Sequence, residues 1–323
     1  MKKYDIVAVG EILIDFTPYG VAEDGCARFG RNPGGAPANL LATAAKYGAK
    51  TAFIGRVGDD MFGEFLRKTL TDSGIDDRAL LTDKEHDTTL AFVSLDPSGD
   101  RRFAFYRRFG ADRFLSPADI SKELIADAQM FHFGTVSMTD EPSRSATLHA
   151  LSLAREAGCL VSYDPNYRET LWKSEREASE IIASVLPEVD VAKFSREEAE
   201  MIGAVGAPEE AAAALVARGP SLVFVTDGAG DIGYASANGA RGRLPSAAVK
   251  VVDTTGAGDI FYGTCLFELL ARGLSRTDGV THLPTEADIR LAAQRAIAAA
   301  GISVTRKGAI PSIPSYNEIG TVE

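Results

Sequence analysis

A chain of 323 residues, 45% hydrophobic and 24% charged, can bury a large core and has the make-up of a globular protein. Its 34 basic and 45 acidic residues leave a formal net charge of −11, without long acidic runs, which disfavours a nucleic-acid partner. Cys26, Cys159 and Cys265 lie far apart with no CxxC or CxxH spacing, so neither a disulfide framework nor a structural zinc is expected.

The chain opens on "MKKYDIVAVGEILIDF", two lysines before an apolar run, as in a signal peptide. Asp5, Glu11 and Asp15 interrupt that run, so it reads as a first buried strand. No stretch approaches the roughly 18 apolar residues of a membrane span. The cytoplasm is the expected compartment, with no membrane partner. "CARFGRNPGG" follows with no helix attached, and "APANLLATAAKYG" then carries helical periodicity. "TAFIG" reads as a strand and "MFGEFLRKTL" as a helix. "TTLAFVSLDPSGDRRFAFYRR" reads as a hairpin turning at "DPSGD".

Further on, "MFHFG", "LVSYD", "VDVAKF" and "SLVFVTD" are buried-strand runs, rich in Val and Phe and closed mostly by Gly or Asp. "SRSATLHALSLAREAG" and "EADIRLAAQRAIAAAG" are helical and end in glycine. Alternation of this kind predicts an α/β fold, a mostly parallel sheet covered by helices on both faces. No linker or repeat divides it, so residues 1–323 read as a single domain. The segments at about 12–32 and 88–108 stand outside the rhythm. They form either a small β-sheet lid or an edge hairpin.

"VVDTTGAGDIFYG" near the C-terminus reads as a strand over 249–252, a glycine turn, and an apolar helix. Such a turn exposes the first N–H groups of the helix and the positive end of its dipole. Gly256, Ala257 and Gly258 are therefore a candidate anion cradle, and Asp259 stands at the same helix start. Asp259 has the alternative role of helix N-cap. The segment is neither GxGxxG nor GxxxxGK[ST], which sets aside dinucleotide binding and a Walker loop. In "VTDGAGDIG", Thr226, Gly228 and Gly230 lie in a loop after a strand, where a nucleotide could rest on exposed backbone, or where the strand simply turns.

Taken together, "VAVGEILIDFTP", "PGGAPANL", "FIGRVGDDMFG", "SYDPNYRETLW" and "VDTTGAGD" resemble the ribokinase-like, pfkB-type carbohydrate kinases, most closely fructokinases, over nearly the whole chain. The resemblance implies a three-layer sandwich with a small β lid, and an ATP- and Mg²⁺-dependent transfer of phosphate to the 6-hydroxyl of fructose. It makes Asp259 the base and the N–H groups of Gly256 to Gly258 the stabilisers of the transferring phosphoryl group. Sugar contacts fall on Asp15, Gly35 and Asn39, residue types suited to polyols, with Phe105, Tyr106 and Arg107 from the lid and Arg168 from "DPNYR". Arg168 has an ordinary ion pair as its alternative.

Glu198 matches the glutamate of the family's NxxE element, which orders Mg²⁺ through water; Ser195 replaces the asparagine. Ile297 stands where relatives carry an asparagine near the adenine. A monovalent cation, K⁺, is implied at Asp253 and Thr255 together with Ser303, Arg306, Gly308 and Ser312. A 2-keto-3-deoxygluconate kinase using the "YRR" and "DPNYR" arginines on a carboxylate is the rival. A silent sugar-binding sensor is the non-enzyme alternative. A lid sheet with one apolar face implies a homodimer through the lid.

Overall fold

Runs with no polar face can be strands only where both faces of a sheet are covered. The computed structural model, which describes residues 2–95 and 101–320, builds such a sheet. Its strands, in chain order, are β1 (Tyr4–Val9), β4 (Thr51–Gly58), β5 (Ile75–Asp83), β8 (Ala128–Phe133), β9 (Leu160–Tyr163), β10 (Val191–Ser195), β11 (Leu222–Thr226), β12 (Ile232–Ser236) and β13 (Arg241–Leu244). They lie in the order β13-β12-β11-β10-β9-β8-β1-β4-β5. β11–β12 and β12–β13 pair antiparallel at one edge, and all other pairs are parallel.

Alternation sorts the strand side chains into two cores. Val7, Val9, Phe131, Phe133, Ala192 and Phe194 pack with α4 (Ser143–Glu156), α5 (Glu175–Ser184), α6 (Arg196–Met201) and α7 (Pro208–Val216). α3 (Lys122–Ala126) lies on the same side. Ile6, Ala8, Met130, Val191 and Phe224 pack with α1 (Ala36–Lys46), α2 (Met61–Asp72), α8 (Ala257–Ala271) and α9 (Glu286–Ser303). This is the ribokinase-like α/β sandwich that the resemblance implies.

A second sheet stands apart: β2 (Leu13–Val21), β3 (Ala27–Gly34), β6 (Leu90–Leu95) and β7 (Arg101–Tyr106), in the order β3-β2-β6-β7. The hairpins β2–β3 and β6–β7 are antiparallel, but the central pair β2–β6 is parallel. The second sheet is thus mixed rather than all antiparallel. β2 and β6 each leave the main sheet from the same end, so they run the same way. The "DPSGD" turn lies outside the described residues.

A correction concerns residues 249–252, which form no strand. Val249, Val251 and Val252 are exposed, and Val252 and Asp253 donate their N–H groups to Val304 O at the end of α9 (2.7 and 3.1 Å). The valine run follows the C-terminus of a helix and meets no sheet edge. β5 is a second difference, hidden in "IDDRALLTD" by the polar residues of a half-exposed edge.

Candidate active site

The strand order reverses between β8 and β1, and in open α/β sheets such a switch opens a crevice at the carboxyl ends of the strands. There the structure holds a cavity of about 370 Å³. Its walls are the segment after β1 (Glu11, Leu13, Asp15), the start of α1 (Gly35, Ala36, Asn39), Phe105 of the second sheet, Val136, Asn166 and Arg168 after β8 and β9, and Thr254, Thr255, Gly256 and Asp259 at the start of α8. The chain thus brings Asp15, Gly35, Asn39, Phe105, Arg168, Gly256 and Asp259, read separately from the sequence, to one cavity.

Each wall has a local cause. Gly35 enters α1 at φ 107°, and a Cβ there would stand 2.4 Å from Glu11 O. Only glycine permits both the conformation and the close approach. The buried Glu11 carboxylate accepts the Ala36 N–H at 3.0 Å, tying β1 to the mouth of α1. Burial pushes its carboxyl up to about 7, against the Ala36 hydrogen bond.

Gly256 is the N-cap of α8 at φ 74°, with no side chain capping the helix. Asp259 is therefore not the N-cap. Its Oδ2 accepts from Asn39 Nδ2 at 2.8 Å, across 220 residues of sequence. Asn39 Oδ1 is buried with no partner, an acceptor awaiting a donor from the cavity. The Ala257 N–H turns back to Thr254 O at 3.2 Å. Burial holds the Asp259 carboxyl above its usual range, opposed by the Asn39 hydrogen bond and the charges of Lys193 and Arg168, while Glu198 pushes it up.

Not every expected residue reaches the cavity wall. Tyr106 points to the other face of its strand and is exposed, edge-on to Phe92. Arg107 is buried and engaged: Nε to Asp112 at 2.7 Å, Nη1 to Thr139 at 2.7 Å, Nη2 to Val136 O at 3.0 Å. Thr226 pairs with Ser195 across β10–β11, and Gly228 and Gly230 occupy the loop behind it. Gly228 has φ 52° with open space where a Cβ would be.

Glu198 is no solvated acid. It is buried, and its oxygens accept the N–H groups of Tyr167 and Ser195, each at 2.7 Å. Asp253 accepts from Thr255 N at 2.8 Å and Gly308 N at 3.0 Å, so the tail meets the α8 entry there. Ser303 and Ser312 turn their hydroxyls back to Ala300 O and Ala309 O, and Arg306 pairs with Glu318.

Sequence reasoning missed Glu11, Asn166 and Thr254 on the wall, and Lys193 behind it. Lys193 sits in the middle of an apolar strand with its ammonium on Asp164, at 3.2 and 3.1 Å from the two carboxylate oxygens, both residues buried. A charged residue inside an apolar run was the available signal.

The family described as pfkB family carbohydrate kinase matches residues 3–316. Fructokinase-1 of Oryza sativa subsp. japonica is 40% identical over 317 residues, 97% of this chain and 96% of the relative. The crystal structure of a fructokinase with bound ATP from Xylella fastidiosa superposes with a TM-score of 0.86 at 31% identity, covering 99% of this chain and 97% of that one. A double-mutant fructokinase from Vibrio cholerae O395, bound to fructose, ADP and potassium ion, superposes at 0.83 with 32% identity, covering 99% and 98%.

Proposed function

Because the chain belongs to the pfkB family of carbohydrate kinases, we propose that it is an ATP-dependent fructokinase making fructose 6-phosphate. The observation that carries the reading is Asp259: a half-buried carboxylate at a helix start, facing the same cavity as Asp15, Asn39 and Arg168. The sugar rests on Asp15 and Asn39, whose unpartnered Oδ1 takes a hydroxyl proton donor. Asp259 takes the proton of the 6-hydroxyl as the O6–phosphorus bond forms and the bond to the ADP oxygen breaks. The start of α8 receives the charge on the moving phosphoryl group; with Ala257 turned back, that falls to the N–H groups around it. Transfer of this kind needs placement and electrostatics more than covalent help.

ATP supplies the phosphoryl group and a divalent ion, which we take to be Mg²⁺, screens its charge. Glu198 already accepts two backbone N–H groups, and the described residues gather no cluster of three metal-binding side chains. This donor set fits an ion held through water and by the nucleotide's own phosphates. K⁺ is assigned to the Asp253–Thr255–Gly308 meeting point, where the Asp253 carboxylate brings the tail to the α8 entry, and the potassium-bound relative supports it. Thr226, Gly228 and Gly230 would lie along the nucleotide. Among the described residues no helix is long and apolar enough to cross a membrane; the free cysteines fit the reducing cytoplasm.

A sugar acid would need a cation for its carboxylate; of the expected arginines Arg107 is held by Asp112, while Arg168 lines the cavity. Coupled assay of ADP release over a panel of sugars and sugar acids tests the assignment. Fructose should exceed 2-keto-3-deoxygluconate by at least about tenfold in kcat/KM. The reverse order would make the protein a sugar-acid kinase.

A further inference from the structure

Alternation along β10 sends Ala192 and Phe194 into one core, and Val191 and Lys193 toward α8. A lysine in that row is costly unless its charge is met. Asp164 at the end of β9 meets it with both oxygens. A methyl group placed on Gly258 would stand 3.2 Å from Lys193 Nζ, so the ammonium lies directly beneath the first turn of α8.

A buried ion pair is weak support for a fold, since apolar side chains of the same volume hold a core as well. Its position, under the cradle and beside the base, is where a fixed charge has a chemical use. We propose that Lys193 is a positioning residue for phosphoryl transfer: its buried ammonium keeps the Asp259 carboxylate ionised and the start of α8 electropositive. This rests on Asp259 being the base.

The groups that face Asp259 come from four elements. Asn39 on α1 donates to it, Lys193 on β10 and Arg168 after β9 favour its charge, and Glu198 on α6 opposes it. Asp164, ion-paired with Lys193, is pushed toward its neutral acid mainly by burial and also by the charge of Asp259. The carboxylates around Lys193 outweigh its burial, so it is held charged at neutral pH. With two cations set against burial, removing one should move the proton affinity of Asp259 upward.

The test is the pH dependence of kcat/KM for fructose, with fructose affinity measured by calorimetry alongside. In Lys193→Met, Asp164 takes a proton, toward which burial already pushes it, and no bare charge remains in the core. The acid limb of the profile should move up by about one pH unit, making turnover on that limb about tenfold slower, with fructose still bound. Asp164→Asn removes only the negative partner and should move the limb the opposite way. It keeps the sign testable should Lys193→Met not fold. A merely structural pair would lower stability in both variants and leave both limbs in place. A limb unmoved in Lys193→Met, or moved upward in Asp164→Asn, overturns the role of Lys193 alone. A wild-type profile with no acid limb overturns the base assignment beneath it.

Discussion

Asp259 stands between opposed influences: burial favours its neutral acid, while Asn39, Lys193 and Arg168 favour the carboxylate. A base needs this balance, because one held too firmly ionised would not keep a proton through the transfer. Its affinity is shifted upward, so activity should fall on acidification at a higher pH than an ordinary aspartate would dictate. Below that pH the base is already protonated. Asp259→Asn keeps the size and the acceptor for Asn39 but cannot take the proton. Folding and fructose binding should survive while kcat falls by about 10²–10⁴. Turnover within a few-fold of wild type would remove Asp259 from the mechanism.

At the scale of elements, β7 shows how one strand end sends successive side chains to different places. Phe105 turns to the cavity and Tyr106 away from it, as period two requires. Arg107, next in line, leaves the strand and enters the main body, where Asp112, Thr139 and Val136 O take its donors. It anchors the base of the second sheet. Arg107→Met strands the buried Asp112, so the protein should lose about 3–5 kcal/mol in urea unfolding. Loss of fructose affinity with unchanged stability would instead return Arg107 to the sugar site.

At the scale of the whole molecule, the second sheet covers the cavity with one face, Asp15 and Phe105, and carries Phe16, Phe29, Phe92 and Tyr106 on the other. Phe29 and Tyr106, with Tyr19 and Val21 nearby, are exposed. A lid that keeps water from the phosphoryl group must move, and an aromatic outer face is best covered by a second copy of itself. Sedimentation should give a dimer that Phe29→Asp together with Tyr106→Asp converts to a monomer. A wild type that sediments as a monomer at working concentration would end the dimer and leave the lid standing.

Much of this was legible in the chain alone. Periodicity identified the six buried strands and the long helices, because a strand covered on both faces must be apolar throughout and a helix end exposes N–H groups whatever surrounds it. "GAGD", "GGAPANL" and "GEILIDF" could be read for the same reason: glycine at a tight entry and a carboxylate behind it are local requirements. The valine run at 249–252 misled because local pattern cannot tell a strand from a segment laid along the end of a helix. Glu11, Lys193 and Glu198 depend on burial and on partners 25 to 31 residues away, and Arg107 on a pocket built from the segments at Asp112 and at Val136 to Thr139. Only the tertiary structure decided these roles, because a charge acquires its cost and its use from what surrounds it.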